Sequence, residues 1–238
     1  MTDTVLQLEK IESGYGEVQV LWSISLQVRS GKLTTIIGAN GAGKTTMLRT
    51  IVGTISPWSG RILMNGQDVT KLSPHAKASR GLVLVPEGRQ LFPDMSVEEN
   101  LEMGGYSHRA REQLKENLGR VFELFPRLKE RRKQKAVTLS GGEQQMLAMG
   151  RGLMQQPVVL MIDELSLGLA PVLAQQLFLM LKTLKQQGIT IVLVEQNVHL
   201  ALAVSDYTYV FVEGRVPIEG ESQQVASMDE VRKAYLGL

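Results

Sequence analysis

The stretch LTTIIGANGAGKTTMLRTIVG, residues 33–53, decides the fold. It opens on the apolar run LTTII, turns through GANGAGKT from Gly38 to Thr45, and continues as TTMLRTIVG with helical texture. The turn matches the spacing G-x-x-x-x-G-K-[ST]. Glycines let backbone N–H groups curl round phosphate oxygens, and the N-terminus of the following helix adds the positive end of its dipole. The expected nucleotide contacts are Gly38, Ala39, Asn40, Gly41, Ala42, Gly43, Lys44, Thr45 and Thr46. Lys44 reaches the β- and γ-phosphates of ATP, and Thr45 supplies a hydroxyl to Mg²⁺. A glycine-rich turn carrying a chance lysine is the bland alternative. Strand, motif and helix in the right order argue against it.

The chain around this motif alternates strand and helix patterns. VLQLEKI (5–11) and LWSISLQV (21–28) are β-type runs, and RILMNGQDV (61–69) reads as a hairpin turning at Asn65-Gly66. LVLVP (82–86), VVLMID (158–163) and TIVLVE (190–195) are continuous apolar runs of the kind buried on both faces of a sheet. From Ser96 to about Gln156 the texture is charged and helix-periodic, with no convincing strand. Pro171 to Gly188 carries apolar residues at 173, 177, 180, 181 and 184, with proline at the first turn and glycine at the end, which describes a helix. Strands alternating with helices predict an α/β fold with a doubly wound parallel sheet. In such sheets ligands sit at the carboxyl ends of the strands.

Composition narrows the classes further. The 238 residues are 43% hydrophobic and 21% charged, enough to bury a core and stay in solution. A net charge of +2 is too balanced to imply nucleic acid. With no cysteine, disulfides, thiolate metal sites and a cysteine nucleophile are excluded. The N-terminal MTDTVLQLEK has early acids and no apolar signal region. The greasiest window, Val158 to Leu181, is broken by Asp163, Glu164, Pro171, Gln175 and Gln176, well short of the ~20 apolar residues of a spanning helix.

That window contains LMIDELSLGLAP (160–171), with two adjacent carboxylates. An interrupted span, a structural ion pair and an active site are the three readings. Two unpaired carboxylates on a buried strand are costly without a cation, so metal binding is physically the cheaper reading. With the phosphate loop already present, Asp163 at the strand end is expected to hold Mg²⁺ and Glu164 to polarise the attacking water. A third motif, LSGGEQQ (139–145), opens a helix in which Ser140 and Glu143 form a capping box. Gly141 and Gly142 just inside that start are poor helix formers, so capping alone leaves them unexplained. An uncluttered helix N-terminus suits a second phosphate contact.

Together these three motifs resemble the ATP-binding cassette of ABC transporters, and the resemblance spans essentially the whole chain. It implies a single cassette over residues 1–238. Residues 1–88 and 157–238 would form the nucleotide-binding core, with a parallel sheet and an N-terminal antiparallel β part. About 89–156 would form an inserted helical subdomain that contacts membrane subunits. The resemblance further implies that Ser140, Gly141, Gly142 and Glu143 act in trans on ATP held by a partner, and that Tyr15 stacks on adenine. VPEGRQLFP, SVEENL, LFPRLKER, LVEQN and the ending VRKAYLGL resemble an ATP-binding subunit of branched-chain amino acid importers; cassettes for urea and short amides are similar. Implied partners are a second, paralogous or identical ATPase subunit, two permease subunits and an external solute-binding protein. The implied place is peripheral, on the cytoplasmic face of the membrane.

Three positions depart from the wider family pattern. Glu87 stands where glutamine is usual; it keeps an oxygen ligand for Mg²⁺ but loses the amide donor. Gln196 replaces histidine; it can donate to the γ-phosphate but cannot carry a proton. The branched-chain group resembles this chain at both positions. His199 reads as a surface or packing residue. Leu165 replaces the usual proline after Glu164, so either Glu164 is less constrained or neighbouring packing fixes it in proline's place. The basic run RLKERRKQK (127–135) lacks interleaved aromatics and reads as a solvated face rather than a nucleic-acid site. A soluble cassette ATPase of repair or translation and a regulatory nucleotide-binding subunit are the rival classes.

Overall fold

A computed structural model describes residues 3–231 and 233, so most of the ending VRKAYLGL lies outside the described residues. The strands in chain order are β1 (Thr4–Tyr15), β2 (Val18–Arg29), β3 (Leu33–Gly38), β4 (Ser59–Met64), β5 (Gln67–Asp68), β6 (Leu82–Val85), β7 (Val159–Asp163), β8 (Thr190–Glu195), β9 (Tyr207–Val212) and β10 (Arg215–Glu221). The helices are α1 (Lys44–Val52), α2 (Pro74–Ser79), α3 (Val97–Gly104), α4 (His108–Arg111), α5 (Leu114–Leu124) and α6 (Pro126–Glu130). They continue with α7 (Gly141–Leu153), α8 (Pro171–Gln186), α9 (Val198–Val204), α10 (Ser222–Ser227) and α11 (Asp229–Val231).

Two sheets result. Strands β2-β1-β4-β5 form a four-stranded antiparallel sheet, and β10-β9-β3-β8-β7-β6 form a six-stranded one. In the larger sheet β6, β7, β8, β3 and β9 run parallel, and only β10 is antiparallel. The fold is thus an α/β phosphate-loop cassette: parallel core sheet, antiparallel β part and helices.

The continuous apolar runs are explained by burial on both faces. Side chains alternate across a strand, so Leu160 and Ile162 of β7 enter one core while Val159 and Met161 enter the other. In β8, Ile191 and Leu193 divide from Val192 and Val194 in the same way. The first core is completed by helical residues such as Leu147, Phe178 and Leu181, the second by α1 and the antiparallel sheet through Met47, Leu48, Leu6 and Ile11. Tyr209 of β9 stitches the sheets together, its hydroxyl donating to Gln27 O at 3.0 Å and accepting from Gln27 N at 2.8 Å.

Turn chemistry follows the residues. Asn65 and Gly66 both have positive φ (49° and 76°), the two-residue turn that matches strand twist. Ser96 and Glu99 close a capping box on α3, and Pro171 occupies the first turn of α8. The helix into which His199 falls by sequence is α9, and the chain then adds the β9–β10 hairpin. Its turn, Glu213-Gly214, has positive φ at both residues (48° and 72°), as Asn65-Gly66 does. Among the described residues no helix is long and apolar enough to cross a membrane. Arg127, Arg131, Arg132 and Lys135 of the basic run pair with Glu130, Glu143, Glu98 and Asp94.

Candidate functional site

The phosphate loop leaves the buried end of β3 and enters α1. Gly43 caps the helix at φ 100°, a region an L side chain rarely occupies, and an added Cβ would lie 3.1 Å from Leu21 Cδ2. Lys44 is buried, and its ammonium donates to Gly38 O at 2.8 Å and Ala39 O at 3.0 Å. Burial lowers its pKa, while Glu164, Asp163 and Glu195 oppose that shift. Two supports were not foreseen. Gly214 N donates to Ala42 O at 3.0 Å, so the β9–β10 turn braces the loop from outside. Fully buried Lys77 of α2 donates to Ile51 O at 2.9 Å and Thr50 O at 3.5 Å, which places a cation on the carbonyl end of α1. Burial pushes the Lys77 pKa down to about 8.

Above the loop lies a cleft of about 530 Å³. It is lined by Tyr15, Asn40, Gly41, Gly43, Lys44, Thr45, Thr46, Glu87, Glu164 and Gln196, together with Val20 and Leu167, which the sequence had not marked. Gly38, Ala39 and Ala42 do not line it and contribute backbone behind it. Tyr15 ends β1 about half exposed, with its hydroxyl 3.3 Å from Thr46 Oγ1 and accepting from Arg49 Nη1 at 3.3 Å. Two larger clefts, of about 940 and 800 Å³, lie between the antiparallel sheet and the β9–β10 edge, and between α5 and the ends of α7 and α8. Neither contains the glycine loop or the paired acids, so size does not decide the site.

Asp163 and Glu164 have unlike surroundings. Asp163 ends β7 at 2% exposure; Thr45 hydrogen-bonds its side chain, yet its Oδ1 is buried with no partner. Burial first, then the nearby Glu164 and Glu87, push its pKa up to about 6 against the opposing Thr45 bond and Lys44 charge. An orphaned carboxylate oxygen beside a hydroxyl and a second acid fits a hard cation. Among the described residues there is no cluster of three acids or histidines that could hold a metal. Mg²⁺ does not require one, because phosphates and waters complete its octahedron.

Glu164 lies just past the strand at φ 54°. Its N–H donates to Val194 O at 2.9 Å, and Gln196 Nε2 donates to both its carboxylate oxygens, at 2.5 and 2.6 Å. Backbone and side chain of Glu164 are thus each held by their surroundings, with leucine rather than proline following. Leu165 fills the core at 0% exposure. His199 is exposed on α9.

Glu87 follows β6 and begins a tight loop. Gly88, Arg89 and Gln90 all have positive φ (76°, 66° and 45°). Arg151 of α7 holds this loop, donating to Gln90 O at 2.7 Å and Arg89 O at 3.3 Å, while Arg89 donates to Gln144 Oε1 at 2.8 Å. The Glu87 loop is thereby tied to the helix that begins at the LSGGEQQ motif. At that helix start Ser140 and Glu143 exchange both capping-box bonds. Gly142 has a packing reason as well, since a Cβ there would lie 2.8 Å from Leu173 Cδ1. Ser140, Gly141, Gly142 and Glu143 do not line the cleft of their own chain.

A phosphate loop and a clamped acid in one cleft, with the buried strand-end acid Asp163 behind its lining against Thr45, define the class: a phosphate-loop nucleotide-binding domain. The profile described as ABC transporter matches residues 21–166. The chain is 43% identical over 233 residues to the high-affinity branched-chain amino acid transport ATP-binding protein BraG of Pseudomonas aeruginosa, covering 98% of this chain and all of that one. It is 36% identical to the probable branched-chain amino acid transport ATP-binding protein LivF of Archaeoglobus fulgidus, covering 98% and 99%. A crystal structure of the ADP conformation of an ATP-binding cassette of an ABC transporter superposes with a TM-score of 0.83 at 31% identity, covering all of both chains. The chain belongs to the ABC transporter family as an ATP-binding subunit, and is an ATPase.

Proposed function

We propose that the chain powers an importer of branched-chain amino acids. The observation that carries this reading is the 43% identity to BraG across the full length of that protein. The whole chain works as one cassette, with about 89–156 as the helical subdomain that meets the permeases. Tyr15 stacks on adenine, and the loop from Gly38 to Thr46 cradles the phosphates, with Lys44 directed at the β- and γ-groups. Thr45, Asp163 and Glu87 would hold Mg²⁺, which when bound neutralises charge on the β- and γ-oxygens. Glu164 orients and polarises the attacking water. Gln196 aims that carboxylate and donates to the γ-phosphate.

Ser140, Gly141, Gly142 and Glu143, absent from their own cleft, complete the site of a second cassette, paralogous or identical. Closure of the pair drives two permease subunits supplied by an external solute-binding protein, with the chain peripheral on the cytoplasmic face of the membrane. Glu164→Gln is expected to keep ATP affinity while turnover falls more than about 100-fold. Near-normal turnover in that variant would sink the base assignment. Leucine uptake that persists unchanged when the chain is deleted from its host would sink the substrate class.

A further inference from the structure

The structure assigns to Glu195 a positioning role in ATP hydrolysis: its buried carboxylate locks the loop after the acid pair to the loop carrying Gln196. The inference rests on the reading of Glu164 as the base; TIVLVE and LVEQN contain Glu195 but give it no role.

Glu195 is the last residue of β8 and 1% exposed. Its Oε1 accepts from Ser166 N at 2.8 Å, and its Oε2 from Ser166 Oγ at 2.9 Å. The same Oε2 takes longer bonds from Gln196 N at 3.2 Å and Asn197 N at 3.3 Å. A buried carboxylate is costly unless donors satisfy it, and an apolar side chain would end a strand at lower cost. What the carboxylate supplies is a junction. Strands β7 and β8 are paired only as far as Asp163 and Val194. Beyond that point the two segments diverge into loops, which Glu195 joins again through Ser166, beside the direct bonds of Gln196 to Glu164.

Both loops carry the machinery. Ser166 lies two residues after Glu164, and Leu167, which follows it, lines the cleft. On the other side Gln196 is the next residue and grips both oxygens of Glu164. Glu164, Ser166, Glu195 and Gln196 thus form a closed ring of contacts in which Glu195 is the corner that touches neither water nor nucleotide. Loosening that corner lets Glu164 and Gln196 drift apart, and displacements of about 1 Å near reacting groups can cost on the order of 100-fold in rate.

The test uses the full chain with its transporter subunits, comparing Glu195→Gln and Ser166→Ala with the wild type. Glu195→Gln puts an NH₂ group against donors. Expected is a fall in kcat of about tenfold or more, with KM and the affinity for ATPγS within about threefold. Ser166→Ala, which removes one of the bonds without burying a new group, should lower kcat by a smaller factor, about threefold or more. Added to Glu164→Gln, Glu195→Gln should reduce the residual single-turnover rate no further, because it acts through Glu164. Unchanged kcat in either single variant overturns the role, as does a kcat loss matched by lost ATPγS affinity or repeated in the Glu164→Gln background. If Glu164→Gln is inactive and Glu195→Gln is normal, only Glu195 loses its role; if Glu164→Gln turns over normally, the base assignment itself fails.

Discussion

Restoring proline after the second acid should harm this chain. Leu165 has no exposed surface and belongs to the core built by α7 and α8. Truncating a fully buried leucine to alanine costs about 2–5 kcal/mol; a proline ring keeps part of that volume, so about 1–2 kcal/mol of the loss applies. The backbone adds a second cost. Glu164 sits at φ 54° with its N–H on Val194 O, and a following proline drives its predecessor toward extended geometry. Holding Glu164 in that left-handed conformation against the proline's preference costs roughly 1–3 kcal/mol. Leu165→Pro is therefore expected to lose about 2–5 kcal/mol by urea unfolding at unchanged m-value, with slower turnover as Glu164 shifts from Gln196. Leu165→Ala isolates the packing share. A Leu165→Pro protein that unfolds at the wild-type urea concentration and hydrolyses ATP as fast would refute the reasoning.

Two further outcomes are expected. Burial pushes the Asp163 carboxyl up to about 6 in the fold, from an ordinary value of 3.8. Between those values the folded state binds the extra proton, so the metal-free protein loses stability as pH rises from about 4 to 6 and holds that loss above it. Asp163→Asn, neutral throughout, should match the wild type below about pH 4 and exceed it by up to about 3 kcal/mol at pH 7, read by chemical unfolding without Mg²⁺; equal stability at both pH values would contradict the shift. Lys77→Met strips the cation from Thr50 O and Ile51 O and should cost about 1–3 kcal/mol in thermal unfolding. No loss would mean that the carbonyls find water instead.

The parts of this protein that could be read from sequence are those set by neighbours along the chain. The phosphate loop is one, because consecutive glycines and a helix start define its backbone with little help from elsewhere. The strand-end acids are another, since an apolar run places Asp163 and Glu164 at the carboxyl end of a strand whatever lies opposite. Contacts between distant segments were not readable. Glu195 looked like the polar end of a strand until Ser166, 29 residues away, was seen to bond it. Lys77 sits in PHAKAS, which has the texture of a surface helix, and only the tertiary approach of α2 to α1 buries it. Arg151 likewise gave no sign that it reaches a loop 61 residues earlier. The two glycines of the LSGGEQQ motif seemed to demand a ligand, but Leu173 supplies a packing reason for Gly142 that no local pattern contains.

The lysine beneath α1 changes what counts as the nucleotide site. A helix offering its amino end to phosphates leaves an exposed negative pole at the other end, nine residues away in this case. Here that far pole is already neutralised by a side chain from an unrelated segment, before any ATP arrives. PHAKAS therefore supports the site by holding the far end of the helix that GANGAGKT opens, through a residue well away from the phosphate loop.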